Sequence, residues 1–192
     1  MAEAHVHRET AVEYFKELVE AAVEHQRLEA DEATFYYIVN LLAGYVQAGV
    51  GEEFDQPLGV KFAEALQAAG NRQRDGLRRV GDASLFLAGF FSDSLSRRLV
   101  DVDYYTTLGA YSYGTLGQSG GMLAGTYSEL ADKFARFVDV LSEVSGRSRL
   151  TSNTDLLRLY ERWMRTRSRL AGSLLAARGI VPMALPPSRS VQ

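Results

Sequence analysis

The chain has 192 residues, 46% hydrophobic and 23% charged, the profile of a globular protein long enough to bury a full core. It has no cysteine, which excludes disulfides and thiolate metal sites, and its net charge of −3 with a pI near 5.7 argues against nucleic acid as a partner. The net value hides a division: residues 1–70 carry −9 and residues 71–192 carry +6, so the two parts attract each other, within one molecule or between two.

No apolar run approaches the ~20 residues that span a bilayer. The opening MAEAHVHRET lacks the basic start and apolar core of a signal peptide. The expected location is the cytoplasm, with no membrane partner. Proline stands only at positions 57, 182, 186 and 187. That leaves 58–181 free for long helices, since proline costs ~3 kcal/mol inside one. Sustained β-branched alternation and hairpin dipeptides are absent. The predicted fold is all-α: a flexible N-terminus over 1–9, one domain of about seven helices over 10–178 packed around a central apolar helix, and a flexible proline-containing tail over 179–192.

The first helix is expected over 10–27, opened by the capping box Thr10-Ala-Val-Glu13. Glu13, Glu17, Glu20 and Glu24 recur on it at spacings of 4, 3 and 4 and so share one face. A second helix, over 32–48, takes Asp31 as its cap and carries Tyr36, Tyr37 and Tyr45. The polar loop AGVGEEFDQP leads to a third helix over 58–69.

The central helix is expected over 72–98, with Asn71 as cap. Its segment GDASLFLAGFFSDS (81–94) holds seven consecutive residues without a polar side chain, Leu85 to Phe91, bracketed by Asp82 and Asp93. On a helix Asp82, Phe86, Gly89, Asp93 and Arg97 form one stripe. A helix apolar nearly all round belongs in the middle of a fold. An unpaired buried carboxylate costs several kcal/mol, so each aspartate needs a partner. Arg97 serves Asp93; Arg78, Arg79 or a tyrosine from another helix serves Asp82. Either the aspartates anchor structural networks, or they line a polar pocket with Asp82, Asp93 and Arg97 as fixtures and Tyr104 and Tyr111 as walls. The network is favoured, because structural ion pairs are a common reason for buried acids.

A fifth helix over 103–117, capped by Asp101 or Asp103, brings Tyr104, Tyr105, Tyr111 and Tyr113. Gly109, Gly114, Gly117, Gly121 and Gly125 suit close helix packing or turns. Gly117-Gln-Ser119-Gly-Gly121 matches the nucleophile elbow G-x-S-x-G. The elbow needs a preceding strand and a later histidine, and no histidine follows His25, so the motif reads as a glycine turn. A sixth helix over 125–145 opens with a second capping box, Thr126-Tyr-Ser-Glu129. The last, over 153–178, carries Arg158, Arg162, Arg165 and Arg169 at 4, 3 and 4, matching the glutamate face. Such stripes can lace two helices together, although exposed pairs contribute only ~0–1 kcal/mol each.

No metal site and no cofactor are expected: the di-iron Glu-x-x-His pair and the zinc motif His-Glu-x-x-His are absent, and Asp93, Asp101 and Asp103 lack calcium-loop spacing. No catalytic residue stands out. The reading is therefore a non-enzymatic helical regulatory or scaffold protein that binds other protein, as a homodimer, through the Glu and Arg stripes and an exposed part of the tyrosine-bearing helices. The alternative is a small-molecule sensor or carrier using the Asp82–Asp93–Arg97–Tyr104–Tyr111 pocket.

Overall fold

Seven helices and no strand make up the regular structure of residues 2–48, 56–90 and 102–148, the parts of the chain that the computed structural model describes. The expected all-α class holds. None of the described helices is long and apolar enough to cross a membrane. The expected helix over 153–178, the tail beyond it, and Asp93, Arg97, Arg158, Arg162, Arg165 and Arg169 lie outside the described residues.

Helix α1 (Ala2–His25) starts eight residues earlier than its capping box suggested, so Thr10-x-x-Glu13 falls inside the helix. Nothing between Ala2 and Thr10 is proline or glycine, and helix propagates cheaply once nucleated. Its end is a Schellman turn: Leu28 N–H reaches Val23 O at 3.0 Å, Arg27 N–H reaches Glu24 O at 3.1 Å, and Arg27 takes a left-handed φ of 51°. Phe15, Val19 and Ala22 are buried, whereas Glu13, Glu17, Glu20 and Glu24 stand exposed on the other side.

Helix α2 (Glu32–Ala48) begins where predicted, with the Asp31 carbonyl accepting the Phe35 N–H at 2.9 Å. Helix α3 (Leu58–Gln67) starts after Pro57, whose carbonyl takes the Val60 and Lys61 amides. Gly70, at φ 62°, turns the chain into α4 (Gly70–Phe90), so Asn71 lies in the first turn and not at the cap. Every residue from Ala83 to Gly89 is buried, and α4 packs against α3, against α5 (Val102–Gln118) and against the last helix described below.

The stretch expected as one helix over 125–145 is two: α6 (Ala124–Asp132) and α7 (Phe134–Arg147), interrupted at Lys133 with φ −107° and ψ 20°. No proline or glycine marks the break. Its cause is tertiary: α6 packs on α5 and α2, whereas α7 packs on α4 and α1, and one straight rod does not follow both. The second capping box also fails. Leu123 occupies the cap position, Thr126 is buried within α6, and Glu129 works across the fold. Its carboxylate accepts the Asp31 N–H at 3.1 and 3.2 Å, and Lys133 Nζ donates to it at 2.8 Å while also reaching the Glu29 carbonyl. Partial burial pushes the Glu129 carboxyl up, but the bonds it accepts outweigh this and hold it below the ordinary range. All described residues belong to one compact unit, Met1–Arg149.

Candidate functional site

Asp82 sits on α4 where the helix passes from its exposed arginine-rich half into its buried half. Two tyrosines converge on one of its oxygens. Tyr37 on α2 donates its hydroxyl to Oδ1 at 2.6 Å, and Tyr113 on α5 donates to the same atom at 2.7 Å. Arg78, one turn earlier on α4, lies 3.8 Å from Oδ2. Tyr127 on α6 completes the cluster, stacked on Tyr113 at 5.8 Å between ring centroids and edge-on to Tyr37 at 5.7 Å. Side chains from three helices thus meet at one carboxylate, and a ring from a fourth packs on the two tyrosines.

Local sequence explains the approach. A Cβ at Gly81 would stand 2.8 Å from the Tyr113 ring, so the bare glycine lets that ring lie flush on α4 with its hydroxyl at Asp82. On α5, Gly109 packs under the Phe134 ring and Gly117 against Ser128, four residues either side of Tyr113. Those two glycines bring the Tyr113 face of α5 close to its neighbours.

Burial raises the hydroxyl pKa of both tyrosines far above the ordinary tyrosine range, and the adjacent Asp82 charge raises them further. Burial also raises Tyr127. The tyrosines are therefore fixed donors, and Oδ1 is engaged twice. This is the structural network that the sequence favoured for Asp82, with both expected partner types present: the arginine one turn back and tyrosines from other helices.

The proposed pocket walls stand elsewhere. Tyr104 and Tyr111 are 42% and 57% exposed, with the Tyr104 hydroxyl against Gly59 of α3 and the Tyr111 ring edge-on to Phe62 at 5.4 Å. The reason is angular. Tyr111 and Tyr113 are ~200° apart around α5, so only one of them can face Asp82. The tyrosine of α5 that meets Asp82 is Tyr113, and the spacing Gly109, Tyr113, Gly117 is the sequence signal that singles it out. Tyr37 and Tyr127 carried no comparable mark.

The G-x-S-x-G match is a turn, as expected. Ser119 closes α5, and Gly120 and Gly121 take φ values of 73° and 106°. Arg74 Nη2 donates to the Ser119 and Gly120 carbonyls, both at 2.7 Å, and to Ser119 Oγ at 3.0 Å, so the serine serves as a clamp point. Near the end of α1, Glu143 of α7 collects Gln26, His25 and Arg147, and these partners, Gln26 foremost, hold its carboxyl below the ordinary range. Among the described residues no group of three or more histidine or acidic side chains is placed to hold a metal ion. No family model, no curated protein and no solved structure matches this chain.

Proposed function

We propose that the protein is a non-enzymatic helical module, regulatory or scaffolding, that works by binding protein, with a second copy of itself as the partner. The observation that carries this reading is an apolar face across α3 and α5. Tyr104 and Tyr111 of α5 are 42% and 57% exposed where they lie against Gly59 and Phe62 of α3, and α3 itself carries Val60 and Leu66, 46% and 41% exposed. Aromatic side chains with rigid apolar bodies and polar tips are the usual anchors of interfaces. The exposed ridge Glu13, Glu17, Glu20, Glu24 and the basic stripe Arg158, Arg162, Arg165, Arg169 carry opposite charge at equal spacing, which suits pairing between like chains. For the pocket alternative, Tyr37 and Tyr113 engage the Asp82 carboxylate, Tyr104 and Tyr111 lie against α3, and Asp93 and Arg97 fall outside the described residues.

Light scattering on the full chain tests the reading. The expected result is a dimer for the wild type and a monomer for Tyr104→Ser/Tyr111→Ser, with the helical signal unchanged and the dimer weakened by salt. A wild type that remains monomeric at high micromolar concentration, or a double variant that dimerises as well as wild type, refutes it.

A further inference from the structure

Beyond Asp103 the outer face of α5 carries no charge. Residues 104–128 contain no acidic, basic or histidine side chain, in a chain that is 23% charged overall. Other exposed helix faces among the described residues are charged: the glutamate ridge on α1, Arg72, Asp75 and Arg79 on α4, and Arg136 and Asp139 on α7. Helix α2 comes closest to neutral, but Lys16 of α1 stands over its exposed Tyr36 ring, 5.8 Å from the centroid. On α5 the exposed and half-buried positions Tyr104, Thr107, Tyr111, Thr115 and Gln118 follow spacings of 3, 4, 4 and 3, which puts them within one arc of about 80°. The stripe is less polar than its letters suggest. Thr107 donates its hydroxyl to the Asp103 carbonyl at 2.8 Å and Thr115 donates to the Tyr111 carbonyl at 3.0 Å, so each hydroxyl is spent on its own helix. Both tyrosines are steadied from α3, Tyr104 by Gly59 and Tyr111 by the Phe62 ring, and a side chain already held in place loses little freedom on binding.

A twofold interface sets a surface against itself, so a charge near its axis meets its own copy. The α5 stripe escapes that repulsion, whereas the charged faces of α1 and α4 do not. The order 3, 4, 4, 3 also reads the same from either end. Two α5 helices laid antiparallel therefore pair every position of the stripe: Tyr111 with its own copy, Thr107 with Thr115, and Tyr104 with Gln118. A parallel arrangement would set Asp103, exposed in the first turn of α5, against Asp103 of the second copy. The antiparallel one sets it against the uncharged Ser119. Tyr111 is the most exposed aromatic side chain among the described residues, and at the axis two such rings can stack on each other.

We propose, resting on the dimer reading above, that two copies join by antiparallel pairing of their α5 helices with Tyr111 on the twofold axis. The chain has no cysteine, so single-cysteine variants of the full chain report the register directly. Tyr111→Cys, Thr107→Cys, Thr115→Cys and, as a control on α2, Tyr36→Cys are oxidised with copper phenanthroline and read on non-reducing gels, with light scattering of the same samples for the oligomeric state. Tyr111→Cys is expected to crosslink with itself, and Tyr36→Cys is expected to stay uncrosslinked. Thr107 would lie ~12 Å along the paired helices from its own copy, beyond the ~7 Å between Cα atoms that a disulfide spans. Thr107→Cys and Thr115→Cys are therefore expected to crosslink when refolded together and neither by itself. That pair keeps both tyrosines, so it decides the register even where Tyr111→Cys loses the dimer. A dimer in which Thr107→Cys does not crosslink with Thr115→Cys, or crosslinks as readily with itself, overturns the register and leaves the dimer reading standing. A dimeric Tyr111→Cys that does not crosslink has the same meaning. A wild type that stays monomeric overturns both.

Discussion

Replacing Asp82 by alanine removes the single oxygen that accepts both tyrosine hydroxyls. Hydrogen bonds to a charged group contribute ~1.5–3 kcal/mol each, and a buried donor left without a partner costs ~1–3 kcal/mol. Tyr113 is wholly buried and Tyr37 largely so, leaving neither hydroxyl an easy route to water. The Arg78 ion pair adds little, because that side chain is 44% exposed and 3.8 Å away. Asp82→Ala should therefore cost roughly 3–5 kcal/mol, a large part of the ~5–15 kcal/mol that stabilises a domain. Asp82→Asn should cost only ~1–2 kcal/mol, since an amide oxygen can still occupy the Oδ1 position and only the charge assistance is lost. Arg78→Ala should cost ~0–1 kcal/mol. Urea unfolding at constant slope measures all three. A double-mutant cycle of Asp82→Ala with Tyr113→Phe should show coupling of ~1–3 kcal/mol, because phenylalanine has no hydroxyl to strand. A cost below ~1 kcal/mol for Asp82→Ala, or additive behaviour in the cycle, would refute the network.

Two further outcomes follow from the same geometry. Tyr37 and Tyr113 keep their protons far above the pH near 10 at which unfolded tyrosine loses its own. The folded chain then holds protons that the unfolded chain has released, so their stability contribution is complete below about pH 10 and falls above it, by about 1.4 kcal/mol per pH unit for each tyrosine. Tyr37→Phe/Tyr113→Phe should flatten this alkaline decline in urea melts, and an unchanged slope would contradict it. On α5, Gly109→Ala should cost ~1–3 kcal/mol because its methyl collides with the Phe134 ring, whereas Gly114→Ala, whose methyl meets only Ala131 at 3.8 Å, should stabilise by ~0.5–1 kcal/mol through helix propensity. Thermal unfolding of the two variants should move in opposite directions.

Sequence alone reached the helical class because proline is missing from 58–181 and no alternating strand pattern competes. It placed α2 to the residue, and α3 and α5 within two, since each is flanked by residues that stop or start helices locally. It also anticipated that Asp82 needs an arginine or tyrosine, because the cost of burying a bare carboxylate is independent of topology. The misses are tertiary. The motif Thr126-x-x-Glu129 is a local signal, and Glu129 is instead drawn to the Asp31 amide and Lys133 of neighbouring segments. The break at Lys133 has no local mark because it answers to the helices on either side. Tyr111 and Tyr113 differ only in angle around α5, and the glycines at 109 and 117 that decide between them act by admitting neighbours, which a pattern of apolar residues does not register.

The position of Asp82 accounts for the carboxylate at the edge of the most apolar stretch. Ahead of it α4 shows arginines to solvent, and directly after it seven residues are buried. Tyrosines from α2 and α5 enter the core at this boundary. Their rings favour burial, but their hydroxyls need an acceptor that an aliphatic surface lacks. Asp82 supplies it, and because both bonds end on one oxygen, sliding either α2 or α5 along α4 breaks a bond and strands a hydroxyl. The acid therefore fixes the register of two helices on a third, a specification that leucine at this position would not give. A carboxylate committed in this way has little freedom to act as a base or to hold a ligand. The binding role proposed above therefore draws on the outer surface, where Tyr104 and Tyr111 of α5 stand exposed against α3.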